Sequence, residues 1–275
     1  MKRTHILTGL IAAFALTVAG VFALGTTEAE AQAKESHLVR VTKAKKLQVC
    51  IWPEYYAISH KNPMTGKLEG IDIDVAQALG KELGAEVRFV ESSFGAFVAD
   101  LQADKCDIGM FGLGATLSRA KAVEFSEPYI VTSIYGVTRK DHPKLKKWTD
   151  LDQDGLVVAV TLGSYVEVFM KGYLKKAKVL SVQPPATREG EVATKRADIL
   201  MTDYPIAKKL EALHNWALIV APTEPLAVTP YAYAVAPGDQ VWLNFINLFV
   251  QTIKRDGRLL EYAKKNRLEP VVYLK

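Results

Sequence analysis

The sequence predicts an α/β protein of two lobes, each a mostly parallel sheet flanked by helices, joined by a two-strand hinge. Three observations carry this prediction. Short apolar runs alternate with amphipathic stretches through residues 47–111, the alternation starts again at Leu156, and a late tyrosine-rich strand over residues 229–236 precedes two helices that have no strands of their own. Strands alternating with helices are the pattern of parallel sheets with crossover connections, and two successive units of it make two lobes.

The N-terminus is set aside first. Lys2 and Arg3 precede an apolar run over residues 6–24, and Ala31, Gln32 and Ala33 offer a small-residue cleavage site, so residues 1–33 read as an export signal removed after about Ala33. No later segment is apolar enough to cross a membrane, and no cysteine near the cleavage site suggests lipid attachment. The mature chain is expected in the periplasm.

In the first unit, residues 47–52 read as a strand, 74–83 as a helix stopped by Gly84, 86–90 as a strand, 96–103 as a helix and 107–111 as the third strand. The second unit has strands at 157–161, 179–182 and 199–201, with helices at 165–174, 189–194 and 205–213. The chain crosses between the units at 129–140 and returns through 229–236, which breaks at Pro237 and Gly238. Helices at 240–253 and 258–264 then pack on the first unit. Trp242, Phe245, Phe249 and Ile253 recur at helical spacing and read as core. The expected domains are 45–134 plus 232–275 for lobe 1 and 135–231 for lobe 2.

Composition excludes several function classes. The net charge is +5, and losing Lys2, Arg3, Glu28 and Glu30 with the signal leaves it unchanged. The densest basic group, Lys140 with Lys144, Lys146 and Lys147, has no interleaved aromatic residues and reads as a solvated turn, not a nucleic-acid surface. The mild basicity favours anionic small ligands. His37, His60, His142 and His214 are too scattered for a metal site. Cys50 and Cys106 are the only cysteines. An oxidising compartment invites a disulfide, but one cysteine late in a strand and the other just before a neighbouring strand are expected at different heights, so they are expected to be free.

The corner at residues 105–130 carries the clearest chemistry. A short apolar strand ends at Gly112 and Gly114, where missing Cβ atoms let a ligand approach the backbone. Thr116 is placed to cap a helix running to about Ala122, whose first N–H groups would favour an anion. Arg119 supplies a planar fork able to grip a carboxylate. Surface pairing of Arg119 with Glu124 or Glu127 is the competing account.

GIDIDVAQALGKELGA (residues 70–85), CDIGMFGLGATLSRAKAVEFSEPY (106–129), VAVTLGSYVEVF (158–169) and ADILMTDYPIAKK (197–209) together resemble the periplasmic solute-binding proteins of family 3, the polar amino acid receptors of ABC importers. The order and spacing cover essentially the whole mature chain. The resemblance implies a type II periplasmic-binding-protein-like fold, a monomer without cofactor or metal that closes on a small amino-acid-like or carboxylate ligand and serves an ABC transporter permease.

Carried over position by position, it implies that Arg119 clamps the ligand carboxylate with backbone N–H groups near Gly112 and Gly114, helped by Thr116. Ser164 and the amide of Tyr165 would close on the same group from lobe 2. Asp203 would accept the ligand ammonium, although capping the helix at 205–213 explains it equally from sequence. Phe94 with Tyr55 or Tyr56 would sandwich the ligand body, unless these rings are ordinary core. The chain departs from the family where Phe111, Gly112 and Gly114 stand in place of serines or threonines and Tyr165 in place of a small hydroxyl residue, so a less polar pocket is expected. The same fold occurs in cyclohexadienyl dehydratases, whose proton-donating glutamate falls three residues after the Thr-Asp aspartate. Here that position is Ile206, leaving Glu167 as a possible substitute acid. A sensor module feeding a membrane receptor would close in the same way.

Overall fold

The computed structural model describes residues 35–275, so the export signal read from residues 1–33 lies outside the described residues. Helix α1 (His37–Ala44) comes first, burying His37 and Val41, with Leu38 packed against the core. It is fixed from outside: the Ser36 hydroxyl donates to Asp239 Oδ1 at 2.8 Å, and the His37 backbone N–H to Asp239 Oδ2 at 2.6 Å.

Strand β1 (Lys46–Ile51) follows, and then a small three-stranded sheet of β2 (Glu54–Tyr55), β3 (Ser59–Lys61) and β4 (Leu68–Glu69). Helix α2 (Ile71–Leu83) ends at Gly84 in a left-handed conformation, the stop expected from sequence. Next come β5 (Glu86–Glu91), α3 (Phe97–Gln102), β6 (Ile108–Gly109) and β7 (Glu124–Phe125). The chain crosses through β8 (Ile130–Thr132) into β9 (Tyr135–Arg139), β10 (Val157–Thr161), α4 (Tyr165–Tyr173), β11 (Lys178–Val182), α5 (Arg188–Ala193), β12 (Ile199–Thr202), α6 (Tyr204–Leu213) and β13 (Ala217–Val220). It returns through β14 (Thr229–Tyr231) to β15 (Ala234–Val235), and α7 (Gln240–Arg255) and α8 (Arg258–Lys265) close the chain.

Two five-stranded sheets result, ordered β5-β1-β6-β15-β7 and β11-β10-β12-β9-β13. Each has one reversed strand, β15 or β9, antiparallel to both neighbours. The other strands of each sheet share one direction, which is the mostly parallel sheet expected. The reversed strand is in both cases the one entered after a crossing. The crossings run side by side, with Thr229 opposite Thr132 and Tyr231 opposite Ile130. The single strand expected over 229–236 is therefore two, because its first half pairs with β8 and its second with β6 and β7.

On the first sheet, α7 buries Trp242, Ile246, Phe249, Val250 and Ile253, a stripe at helical spacing. The Trp242 indole N–H donates to the Asp107 carbonyl at 2.9 Å, so the ring's one polar atom is also satisfied.

Two expectations are corrected here. Cys50 and Cys106 form a disulfide, with Cα atoms 5.6 Å apart. The height argument assumed ladder spacing, but only Ile108 and Gly109 of this segment are paired to β1, and Cys106 precedes them. The helix expected from Thr116 to Ala122 is a 3₁₀ turn of three residues, Arg119–Lys121. Only these three residues are helical and the Arg119 N–H is taken by Thr116 Oγ1, so the α-helical N-terminus expected to favour an anion is not formed.

Candidate functional site

The loop leaving β6 meets the start of α4 and the start of α6, so the two sheets face each other across residues at their strand ends. At Gly112 the backbone has φ +64°, and a Cβ there would lie 2.7 Å from Tyr55 Cε1. Only glycine fits on both counts. The Gly112 N–H donates to the buried Asp72 Oδ2 at 2.8 Å and so is turned away from the cleft. Asp72 also accepts from Tyr129 at 2.7 Å and Tyr233 at 3.3 Å. Burial nevertheless pushes its carboxyl up to about 7 against these three donors.

Arg119 lies within reach of both halves. One terminal nitrogen donates to the Gly114 carbonyl at 3.0 Å and the other to the Gly163 carbonyl at 2.9 Å. Its guanidinium carbon is 5.2 Å from the Phe97 ring centre and 5.8 Å from that of Phe94. Its hydrogen bonds go to carbonyls, not to Glu124 or Glu127; Glu124 accepts from Gly238 N–H and Glu127 from Gln251. Desolvation lowers the guanidinium to about 10. Thr116 Oγ1 accepts from the Arg119 N–H at 3.3 Å and holds the turn that presents it. At Gly163, φ is +75° and a Cβ would lie 2.7 Å from the Gly95 nitrogen, so the backbones of the two halves touch here.

Ser164 and Asp203 each cap a helix. Ser164 Oγ donates to the Thr161 carbonyl at 2.7 Å and accepts from the Glu167 N–H at 3.2 Å. Asp203 Oδ1 accepts from the Ile206 N–H at 3.4 Å, while Oδ2 faces the other half. That oxygen accepts from the Tyr55 hydroxyl and, at 2.8 Å, from the Tyr231 hydroxyl. The cap and the cleft-facing role read as alternatives from sequence are thus compatible, one per oxygen. Burial raises the Asp203 carboxyl despite these donors. Tyr165 packs its ring on Gly114, where a Cβ would meet it at 3.0 Å, and its buried hydroxyl has no hydrogen-bond partner among the described residues.

Phe94 and Tyr55 meet edge to face at 5.9 Å, with Trp52 at 5.1 Å from Phe94. Tyr56, the alternative to Tyr55, lies outside this cluster; its ring sits 4.6 Å from Lys209 Nζ. The tyrosine and Asp203 corner encloses only ≈ 20 Å³, room for about one water. Beside it is a cavity of ≈ 310 Å³ that shares Trp52, Thr161 and Arg188 with that corner and is also lined by Glu54, Glu189, Ile206 and Lys209. This is the size of a small-molecule site. Glu54 is raised by burial and by the negative charges of Glu189 and Glu91.

Sequence reasoning missed Trp52, Arg188 and Tyr231. The Trp52 segment was visible as an altered aromatic motif and Tyr231 as part of a tyrosine-rich strand. Arg188, whose Nη1 donates to the Met201 carbonyl at 2.7 Å, had no signal beyond its place at a helix start. Among the described residues no cluster of histidine, cysteine or carboxylates could hold a metal, and no helix is long and apolar enough to cross a membrane.

The chain is similar to known proteins along most of its length. It is 28% identical to the cyclohexadienyl dehydratase of Pseudomonas aeruginosa over 84% of this chain and 86% of that one. It is 28% identical to the ABC transporter glutamine-binding protein GlnH of Bacillus subtilis, over 86% and 87% respectively. The crystal structure of an ancestral amino acid-binding protein, described as a precursor of cyclohexadienyl dehydratase, superposes with a TM-score of 0.77 at 34% identity, covering 84% of this chain and 99% of that one. Residues 47–268 match the family model of the bacterial extracellular solute-binding proteins, family 3, and the chain belongs to that family.

Proposed function

We propose that the protein is a periplasmic receptor that captures a small amino acid or carboxylate between its two halves and delivers it to an ABC importer. The observation that carries this reading is the meeting of Arg119 from one half and Asp203 from the other around one set of tyrosines, beside a cavity large enough for a ligand. Arg119 donates to the Gly114 carbonyl beside the Tyr165 ring, and Tyr55 and Tyr231 hydrogen-bond Asp203. The bodies that move are residues 45–134 with 232–275, and residues 135–231. They turn about the paired crossings β8 and β14, and residues 1–33 serve as the export signal.

On opening, the Arg119 bond to the Gly163 carbonyl and the Tyr55 bond to Asp203 are broken, and both charges become available. A zwitterion replaces them: its carboxylate takes the Arg119 fork, its ammonium takes Asp203 Oδ2, and its side chain occupies the ≈ 310 Å³ cavity against Trp52. The ligand must exceed the tyrosine contacts it displaces, so preference for one ligand is set by this exchange. Thermal-shift and calorimetric screening of ligand-stripped protein against amino acids and organic acids tests the reading. A true ligand at 100 times its dissociation constant adds about 2.7 kcal/mol of stability; a library without a stabilising compound counts against it.

Similarity to a dehydratase favours a second reading, but the cleft supports it poorly. Ile206 lines the cavity where an acid is needed. Glu167 is opposed by burial yet held below the usual carboxylate range by Lys171, Ser181 and the Gly163 N–H, the reverse of what a proton donor requires. Aromatic product from prephenate or arogenate, lost in Glu167→Gln, would establish the enzyme instead.

A further inference from the structure

A second cavity, of ≈ 440 Å³, lies along α6 and shares Lys209 with the first. One wall is the Tyr56 and Ala57 turn between β2 and β3, the second is the exposed face of α6, and the third is Asn266 and Arg267 after α8. Its composition is one-sided. Lys208, Lys209 and Arg267 line it and no carboxylate does. Lys208 shares its charge with Glu211, one helical turn away, and Lys209 rests on the Tyr56 ring at 4.6 Å. Apart from Asn266, the remaining lining is apolar or aromatic and includes Tyr204, Pro205, Ala212 and Leu213, the last 65% exposed.

We propose that this cavity is a binding site for a compact organic anion with an aromatic or apolar body, separate from the ligand cleft. Cations on the walls with an apolar floor between them recognise such a molecule by two independent terms. Its charge is held by Arg267 and Lys208, and its body covers the exposed Leu213 beside the Tyr204 ring. A purely inorganic anion satisfies only the first term and a neutral aromatic only the second. Because the walls come from both halves, an anion seated there favours the arrangement in which α6 stands against the Tyr56 turn and Arg267.

The test uses benzoate as the probe, with sulfate and benzamide as controls, on the mature protein followed by NMR. The expected result is saturable benzoate binding at millimolar concentration, with Overhauser contacts from the ring to the Leu213 methyls and the Tyr204 ring. Arg267→Gln with Lys208→Gln weakens it roughly tenfold or more. Both substitutions are on exposed side chains, and the Overhauser contacts locate the probe even if the double variant misfolds. Absence of saturation, equal binding of benzamide, or contacts to Trp52 and Ile206 in the cleft would each overturn the proposal.

Discussion

The Tyr231 hydroxyl donates a 2.8 Å hydrogen bond to Asp203 Oδ2, tying the returning crossing strand β14 to the first turn of α6. Tyr55 donates to the same oxygen, and the two hydroxyls are themselves 2.8 Å apart. The contact does two things at once: it satisfies a buried carboxylate and it occupies the oxygen that an incoming ammonium would take.

Tyr231→Phe keeps the ring and removes one donor from a buried acceptor, which costs about 1.5–3 kcal/mol. Urea unfolding of the variant is expected to show a midpoint lowered accordingly with an unchanged slope. An unaltered midpoint would mean that the hydroxyl contributes nothing to holding Asp203.

Gly112→Ala strains a left-handed residue and drives a Cβ to 2.7 Å from a Tyr55 ring that is itself wedged against Trp52, Phe94 and Tyr231. A loss of roughly 1–3 kcal/mol is expected from overpacking alone. Gly172, inside α4 with nothing within 4 Å of its missing Cβ, is the control. Gly172→Ala should be neutral or gain up to about 1 kcal/mol.

The disulfide spans a sequence separation of 56 residues, for which chain-entropy arguments give about 4 kcal/mol of stabilisation. Unfolded oxidised protein should titrate no free thiol, and reduction should lower the unfolding temperature clearly. Two free thiols in the periplasmically expressed protein would contradict the bridge.

Asp72 gives a pH signature. Its carboxyl is raised by burial from 3.8 to about 7, so its protonated form favours the fold. That contribution is complete below about pH 4, where the unfolded carboxyl is also protonated, and is lost as pH rises through about 7. Asp203 is shifted in the same direction by burial. Between pH 4 and 7, Asp72→Asn should therefore show a flatter decline of unfolding free energy than the parent. Parallel profiles would remove Asp72 from the account.

Much of the fold was legible because burial imposes periodicity. The α7 stripe of Trp242, Phe249 and Ile253 and the Gly84 stop of α2 state their roles in sequence. Helix α1 does not, since beside its short apolar face of Leu38 and Val41 it is anchored by Asp239, some 200 residues away. The segment at Arg119 has a good helical sequence yet forms only a three-residue 3₁₀ turn, a departure with no local signal. In the cleft, Asp203 was visible at the end of a strand. Arg188 was not, because an arginine beside a helix start looks like any solvated residue until β12 and α5 bring it to the cavity wall.

The most direct test of the receptor reading is a calorimetric titration of the screened ligand into the parent protein, Arg119→Gln and Asp203→Asn, each stripped of bound solute. Losing one charge-assisted partner is worth about 1.5–3 kcal/mol, so each variant should bind roughly 10- to 150-fold more weakly, the first for loss of the carboxylate partner and the second for loss of the ammonium partner. Unchanged affinity in both variants would contradict the clamp between the two halves.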